Sequence, residues 1–480
     1  MRSRWAQGLR VSSFRRAASA IARTVGAEPV RRGVACVLLG AAAAFLFAYW
    51  AEWIPRLPGW GGRALAHVRR GMVPLPRLLL AGAMLAVLGT LLVGRPGAVL
   101  ASRSRLLQAA AAGLFGGFIL YLFRDESHTL GDSSAILRDA AGSVTNGGFY
   151  TYLEELVGMW LPTRLARWRH EAAGTDARRA LLQAYTWVSI GAGVLYVAAV
   201  SLAARRAARP AAFCTILLLN AALQHFAGYV ENYQTATLLL AIGFLWATDR
   251  LRSGLETGMG TVLGTTALFS LAVTCHGVAV WSVGALAWLA AVAARGHPLR
   301  FARFTVAGTA VAAVILGGVY LLFTRWLTPG VSTVHLGGGD RGLLDPAWPM
   351  FLKGWNAMMA HRPLRDHAWA IARVAAPSLL VLAALLLTVP RAVGRAAASR
   401  DGIFALAFLA GFLVHQGVWV SKIGLERDWD LFGFTWLPLA YLAWRAFAEA
   451  DLPRIAEPLV AVVSLLGGFT WVLAHARVTA

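Results

Sequence analysis

Apolar runs of about twenty residues recur along this chain, and no other feature limits its fold as strongly. A helix crossing a bilayer needs roughly 20 predominantly apolar residues. Runs of that order fall near 34–54, 76–94, 107–123, 182–204, 210–227, 233–248, 258–275, 277–294, 304–324, 368–390, 402–420, 431–448 and 458–475. No soluble core absorbs so many. Charged residues make up 14% of the chain, against about 25% in a soluble domain. The expected fold is therefore all-α: a polytopic integral membrane protein with about thirteen transmembrane helices. The runs at 258–275 and 277–294 are short enough to be one long helix plus a re-entrant piece.

The domain plan follows from the same pattern. Residues 1–33 are rich in arginine and read as a basic cytoplasmic tail, not a cleaved signal peptide. Residues 34–480 read as a single transmembrane domain with two long polar connections, about 124–181 and 325–367. Cys36, Cys214 and Cys275 all sit in apolar runs and form neither a disulfide framework nor a zinc pattern.

A formal charge of +22 suggests nucleic acid in a soluble protein. Here the basic residues, all arginine except Lys353 and Lys422, cluster in short loops between apolar runs. Such clusters mark cytoplasmic loops, so no nucleic acid partner is expected. With the N-terminus inside, Arg205, Arg206 and Arg209, Arg250 and Arg252, Arg391, Arg395 and Arg400, and Arg445 and Arg454 all fall on the inner side. The connection 55–75 disagrees, being placed outside yet carrying Arg56, Arg63, Arg69 and Arg70. Sixteen of the 23 Asp and Glu residues fall on the outer side. The arginine- and alanine-rich composition fits a GC-rich bacterial genome, hence a bacterial inner membrane, with the chemistry on its non-cytoplasmic face.

Four polar clusters land on that face. The first follows the third run and contains Asp125, Glu126 and Asp132. A carboxylate at a membrane exit is costly to bury. Asp132, after a glycine and before Ser133, also reads as the N-cap of a helix over 133–141. Beyond it, residues 149–161 read as an amphipathic helix suited to the membrane surface. The second cluster is Gly228-Tyr-Val-Glu-Asn-Tyr-Gln234, with Glu231 and Asn232. Asn220, Gln224 and Glu231 share one helix face if the helix continues that far; they line a polar cavity or hydrogen-bond between helices. The third is His276, in an outward turn, as a ligand-facing or a structural histidine. The fourth is Ser421–Phe432, with Lys422, Arg427, Asp428 and Asp430. Arginine and lysine grip phosphate oxygens, though a solvated loop with local ion pairs would look the same.

With these residues in view, the chain resembles the membrane-embedded glycosyltransferases of the C-type fold, which use polyprenyl-phosphate sugars. Arg124-Asp-Glu126 is similar to the acidic pair of some members, and Leu130-Gly-Asp132 to the acid of others. Tyr229–Tyr233 and Asp428–Phe432 look like stretches of bacterial relatives. In the family the acidic loop usually follows the first span; here it follows the third.

The resemblance implies amphipathic helices along the membrane in the first long outer loop, and inverting sugar transfer from a polyprenyl-phosphate donor. Asp132, with Asp125 or Glu126 as alternatives, would take the acceptor's proton or hold a metal. Lys353, Lys422 or Arg427 would stabilise the phosphate leaving group. Glu231, Asn232, His276, Asp428 and Asp430 would line the sugar or acceptor pocket. No cofactor is fixed; a divalent cation, Mg or Mn, is the candidate. The rival reading is a transporter or flippase of a lipid-linked or anionic substrate, which should show internal repeats and helices broken at mid-membrane.

Overall fold

The computed structural model describes residues 28–53, 68, 73–93, 105–125, 133–146, 156–254, 257–327, 364–418 and 433–476. Glu126, Asp132, Lys353, Lys422, Arg427, Asp428 and Asp430 lie outside them. Among the described residues there are helices and no strands, with one isolated antiparallel bridge between Asp125 and Ala476.

The α-helices are α1 Glu28–Trp50, α2 Leu75–Val93, α3 Arg105–Leu122, α4 Ser133–Thr145, α5 Leu156–Ala173, α6 Ala177–Ala204, α7 Pro210–Leu218 and α8 Tyr233–Arg252. They continue with α9 Met259–Cys275, α10 Val283–Ala294, α11 Pro298–Leu322, α12 Leu364–Thr388, α13 Pro390–Ala398, α14 Arg400–Val418, α15 Trp436–Glu449, α16 Ala456–Ser464 and α17 Thr470–His475. Each apolar run read from the sequence coincides with helical structure. Among the described residues, seven helical segments are long and apolar enough to cross a membrane, or eight if the pair Pro390–Ala398 and Arg400–Gln416, bent by 82°, is one span. The protein is thus an all-α polytopic membrane protein.

Small residues let α3 and α6 approach closely. A Cβ on Gly113 of α3 would stand 2.7 Å from the Val194 carbonyl of α6, and one on Gly116 would stand 2.9 Å from Val197 Cγ2. Lipid offers no hydrophobic force to join two helices, so this close van der Waals approach holds them. It also fixes where α3 delivers Asp125. In the first long loop, α4 and α5 pack on α6. Ile136, Leu137, Ala140 and Val144 form one buried stripe of α4, each large side chain contributing about 1.5–3 kcal/mol on burial. The helix read at 149–161 begins, within the described residues, at Leu156 and runs on to Ala173.

The chain departs most from its sequence pattern after α7. That helix has 9 residues, about 14 Å at 1.5 Å per residue, against a hydrocarbon core of about 30 Å. Residues 219–232 then form a 3₁₀ turn, Ala221–Phe226, and irregular backbone, all of it buried. Irregular backbone at membrane depth is tolerated where protein or a wet cavity surrounds it. Asn220 explains the stop: its side-chain amide donates to the Leu217 carbonyl at 2.6 Å, a local bond that competes with the next helical turn. Asn220, Gln224 and Glu231 therefore do not share a helix face.

The two ends of the bundle differ in charge. At one, Arg32 and Arg209 meet Asp451, Arg209 meets Glu457, and Arg206 and Arg252 meet Asp249. Arg445 joins Asp401 to Glu449, which also meets Arg395. These groups belong to the start of α1, the ends of α8 and α15 and their neighbouring turns. The opposite end carries Asp125, Glu231, Asn232 and His276.

Candidate functional site

Asp125 leaves α3 at the end away from those ion pairs. Its N–H donates to the Ala227 carbonyl at 2.7 Å, and it pairs across with Ala476. Its residue is only 1% exposed. Gly228 makes the fit possible: its φ is +73°, and a Cβ there would lie 2.9 Å from Arg124 Cβ. Only glycine takes that backbone conformation without strain.

Basic side chains lie near this carboxylate. Arg77 donates to the Ala476 carbonyl at 2.5 Å. The His475 ring, 4.6 Å from Trp471, bonds through Nδ1 to the Trp471 carbonyl at 2.8 Å. A carbonyl only accepts, so Nδ1 carries a proton and donates it to this bond. His475 lies within electrostatic reach of both Asp125 and Arg373. Arg373 is held between two indoles, 4.1 Å above Trp369 and 4.6 Å above Trp471. Stacking of this kind holds the plane of the guanidinium.

The far side of the buried segment holds the second group. Asn232 Oδ1 accepts from the Tyr185 hydroxyl at 2.9 Å. Tyr233 stacks on His276 with centroids 4.1 Å apart. His276 Nδ1 accepts from the Val278 N–H at 3.2 Å and so caps the turn Gly277–Ser282, the structural role open to it from sequence. A Cβ on Gly158 would meet the carbonyls of Cys275 at 2.5 Å and Asn232 at 3.1 Å, so the start of α5 closes over both turns. Glu231 is 3% exposed. His225, at the end of the 3₁₀ turn, faces Tyr233 and Phe434 at 5.9 and 6.2 Å and bonds Thr237 at 3.0 Å.

Of the residues singled out from sequence, the structure joins Asn232 and His276 directly through Tyr233 and α5. Asp125 is tied to the same segment through Ala227. Gly433–Thr435, which follows the 421–430 stretch, brings Phe434 to the same wall. Arg77, His225, Arg373 and His475 were missed. An arginine inside an apolar run is costly and usually functional, and that signal was there at Arg373. For His475, one polar residue near the end of the last run, nothing in the sequence stood out. Among the described residues no three His, Cys, Asp or Glu side chains converge in a way that could hold a metal ion.

No protein-family model matches the chain, and no curated protein matches it. Among solved structures the chain is similar to ArnT from Cupriavidus metallidurans, in a crystal structure bound to undecaprenyl phosphate. The identity is 14% and the TM-score 0.44, over 77% of this chain and 76% of that one.

Proposed function

We propose that the protein is a membrane glycosyltransferase that moves a sugar from a polyprenyl-phosphate donor to an acceptor on the non-cytoplasmic face. One observation carries this reading: a buried carboxylate, Asp125, stands at the membrane exit of α3 beside a basic group made of His475 and the indole-clamped Arg373. A positioned carboxylate can serve as a general base, and a positive charge placed where negative charge develops stabilises a phosphate leaving group. The site offers both.

In this reading Asp125 takes the acceptor hydroxyl's proton as its oxygen attacks the anomeric carbon. The bond from that carbon to the phosphate oxygen breaks, the configuration inverts, and the electron pair leaves on polyprenyl phosphate. Arg373 meets the charge that forms. Lys353, Lys422 and Arg427 are further phosphate contacts in the proposal, with Glu231, Asn232, Asp428 and Asp430 toward the sugar or acceptor. Glu126 and Asp132 are the alternative bases. No step runs through a metal. Transfer of labelled sugar from a polyprenyl-phosphate donor by the purified protein tests the activity, and its absence with every such donor tried overturns it.

The interruption at 219–232 favours a second reading. A half-length helix ending in buried irregular backbone is a feature of transporters. Flux of a lipid-linked sugar across proteoliposomes without sugar transfer would favour that reading.

A further inference from the structure

Three interrupted helices meet at one point. α7 stops at Leu218. α12 is broken at Ala375, whose φ and ψ are −123° and 18°, just before Pro377. α16 passes into a π-helical turn, Leu465–Phe469. A Cβ on Gly468 would lie 2.5 Å from the Leu219 carbonyl, 2.8 Å from Asn220 Cα and 3.0 Å from Pro377 Cγ. Each break alone has an ordinary cause, whether a side-chain bond, a proline or a π-turn. Their contact is what needs explaining.

Each of the three elements carries buried polar side-chain atoms without a hydrogen-bond partner, within about four residues of this contact along the chain. The Asn220 amide nitrogen is committed to the Leu217 carbonyl at 2.6 Å. Its Oδ1 is an acceptor with no hydrogen-bond partner in the protein. Neither polar atom of Gln224 has one, nor does Ser378 Oγ beside Pro377 or Ser464 Oγ one turn before Gly468. All four residues are at most 1% exposed. Other buried hydroxyls here bond back to the preceding turn, as Thr470 does to Leu466 and Thr388 to Ala384. These two serines do not.

The donors on offer are amide and hydroxyl oxygens with no carboxylate, at the C-terminal end of a half-helix. Such an end carries partial negative charge on its last carbonyls. Divalent ions seek carboxylates; a neutral, oxygen-only set at a half-helix C-terminus suits a monovalent cation. We infer that this junction binds one monovalent cation, sodium in the first instance. Asn220, Gln224, Ser378 and Ser464 supply the oxygens. The cation joins the three broken helices and so sets the position of the buried segment that carries Ala227 and Asn232. This site stands apart from Asp125 and does not depend on the transferase reading.

The test uses the purified full chain in nanodiscs, with sodium chloride exchanged for choline chloride at constant ionic strength. Thermal unfolding should shift upward with sodium by about 2–4 °C and then saturate, and ²²Na⁺ should bind at one site per chain. Asn220→Ala and Gln224→Leu should lose both the shift and the binding. Asn220→Asp adds a charge and should lower the half-saturating concentration about tenfold. If Asn220→Ala fails to fold, Ser464→Ala replaces it, with binding weakened several-fold. Equal unfolding temperatures in sodium, potassium and choline, with no bound ²²Na⁺, would mean ordered water only and would overturn the inference.

Discussion

The backbone N–H of Asp125 donates to the carbonyl of Ala227 at 2.7 Å. The end of α3 and the buried segment after α7, far apart in sequence, are thereby held as one unit. A shift of one therefore carries the other with it. Several consequences can be measured.

Gly228→Ala would place a methyl group 2.9 Å from Arg124 Cβ at a φ of +73°. The strain should cost about 1–3 kcal/mol. Because it pushes on the residue next to Asp125, turnover should fall more than stability alone accounts for. Unfolding temperature and transfer rate measured together separate the two effects.

Arg373→Ala should weaken donor binding or slow turnover by about tenfold to a hundredfold, since a charge-assisted bond to phosphate contributes roughly 1.5–3 kcal/mol. Arg373→Lys should recover only part, lacking the planar fork that stacks between Trp369 and Trp471. An unchanged saturation curve against lipid-phosphate donor, with unchanged maximal rate, would reject a phosphate contact there.

The opposite end of the bundle predicts a stability effect without a catalytic one. Asp401 accepts from the Tyr441 hydroxyl at 2.7 Å and from Arg445 Nε at 3.2 Å. Its side chain is 3% exposed. Asp401→Ala leaves the Tyr441 hydroxyl and Arg445 Nε without this acceptor, while Arg445 keeps Glu449, at a cost of about 1–3 kcal/mol. The unfolding temperature should drop by several degrees, while KM for the donor in the surviving folded fraction stays unchanged. A selective rise in KM would mean that the two ends are coupled.

The side assignment has its own test. Cysteines at Ser134 and Ser421 should both react with an impermeant thiol reagent in cells whose outer barrier has been opened. Labelling at one and protection at the other would break the shared-face argument.

Much of this architecture was legible because lipid demands long apolar helices, and the runs that met the demand, 210–227 apart, are helical through their described residues. The arginines Arg206, Arg209, Arg252, Arg395 and Arg445 cluster at one end as the loop pattern implied, since helix length and alternation leave them little choice. The interruption after Leu218 was not legible. Residues 210–227 are apolar enough to read as continuous helix, and only the Asn220 bond to Leu217, a tertiary and local accident of geometry, ends it. For the same reason the polar stripe Asn220, Gln224 and Glu231 was read as one face, whereas the chain turns between them. The importance of Ala227 and Ala476 to Asp125 was also hidden, because both act through backbone atoms that carry no mark in a sequence.

The central claim is that a carboxylate at the exit of α3 serves as the base for sugar transfer. It is tested most directly by assaying purified wild type beside Asp125→Asn, Glu126→Gln and Asp132→Asn, with a polyprenyl-phosphate sugar as donor. Asp125→Asn should fold and insert normally, bind donor with an affinity near wild type, and lose transfer by about 10²–10⁴-fold. Asn caps helices about as well as Asp, so Asp132→Asn should keep its activity if that residue only starts α4. Full transfer by Asp125→Asn, with activity lost in none of the three variants, would contradict the account.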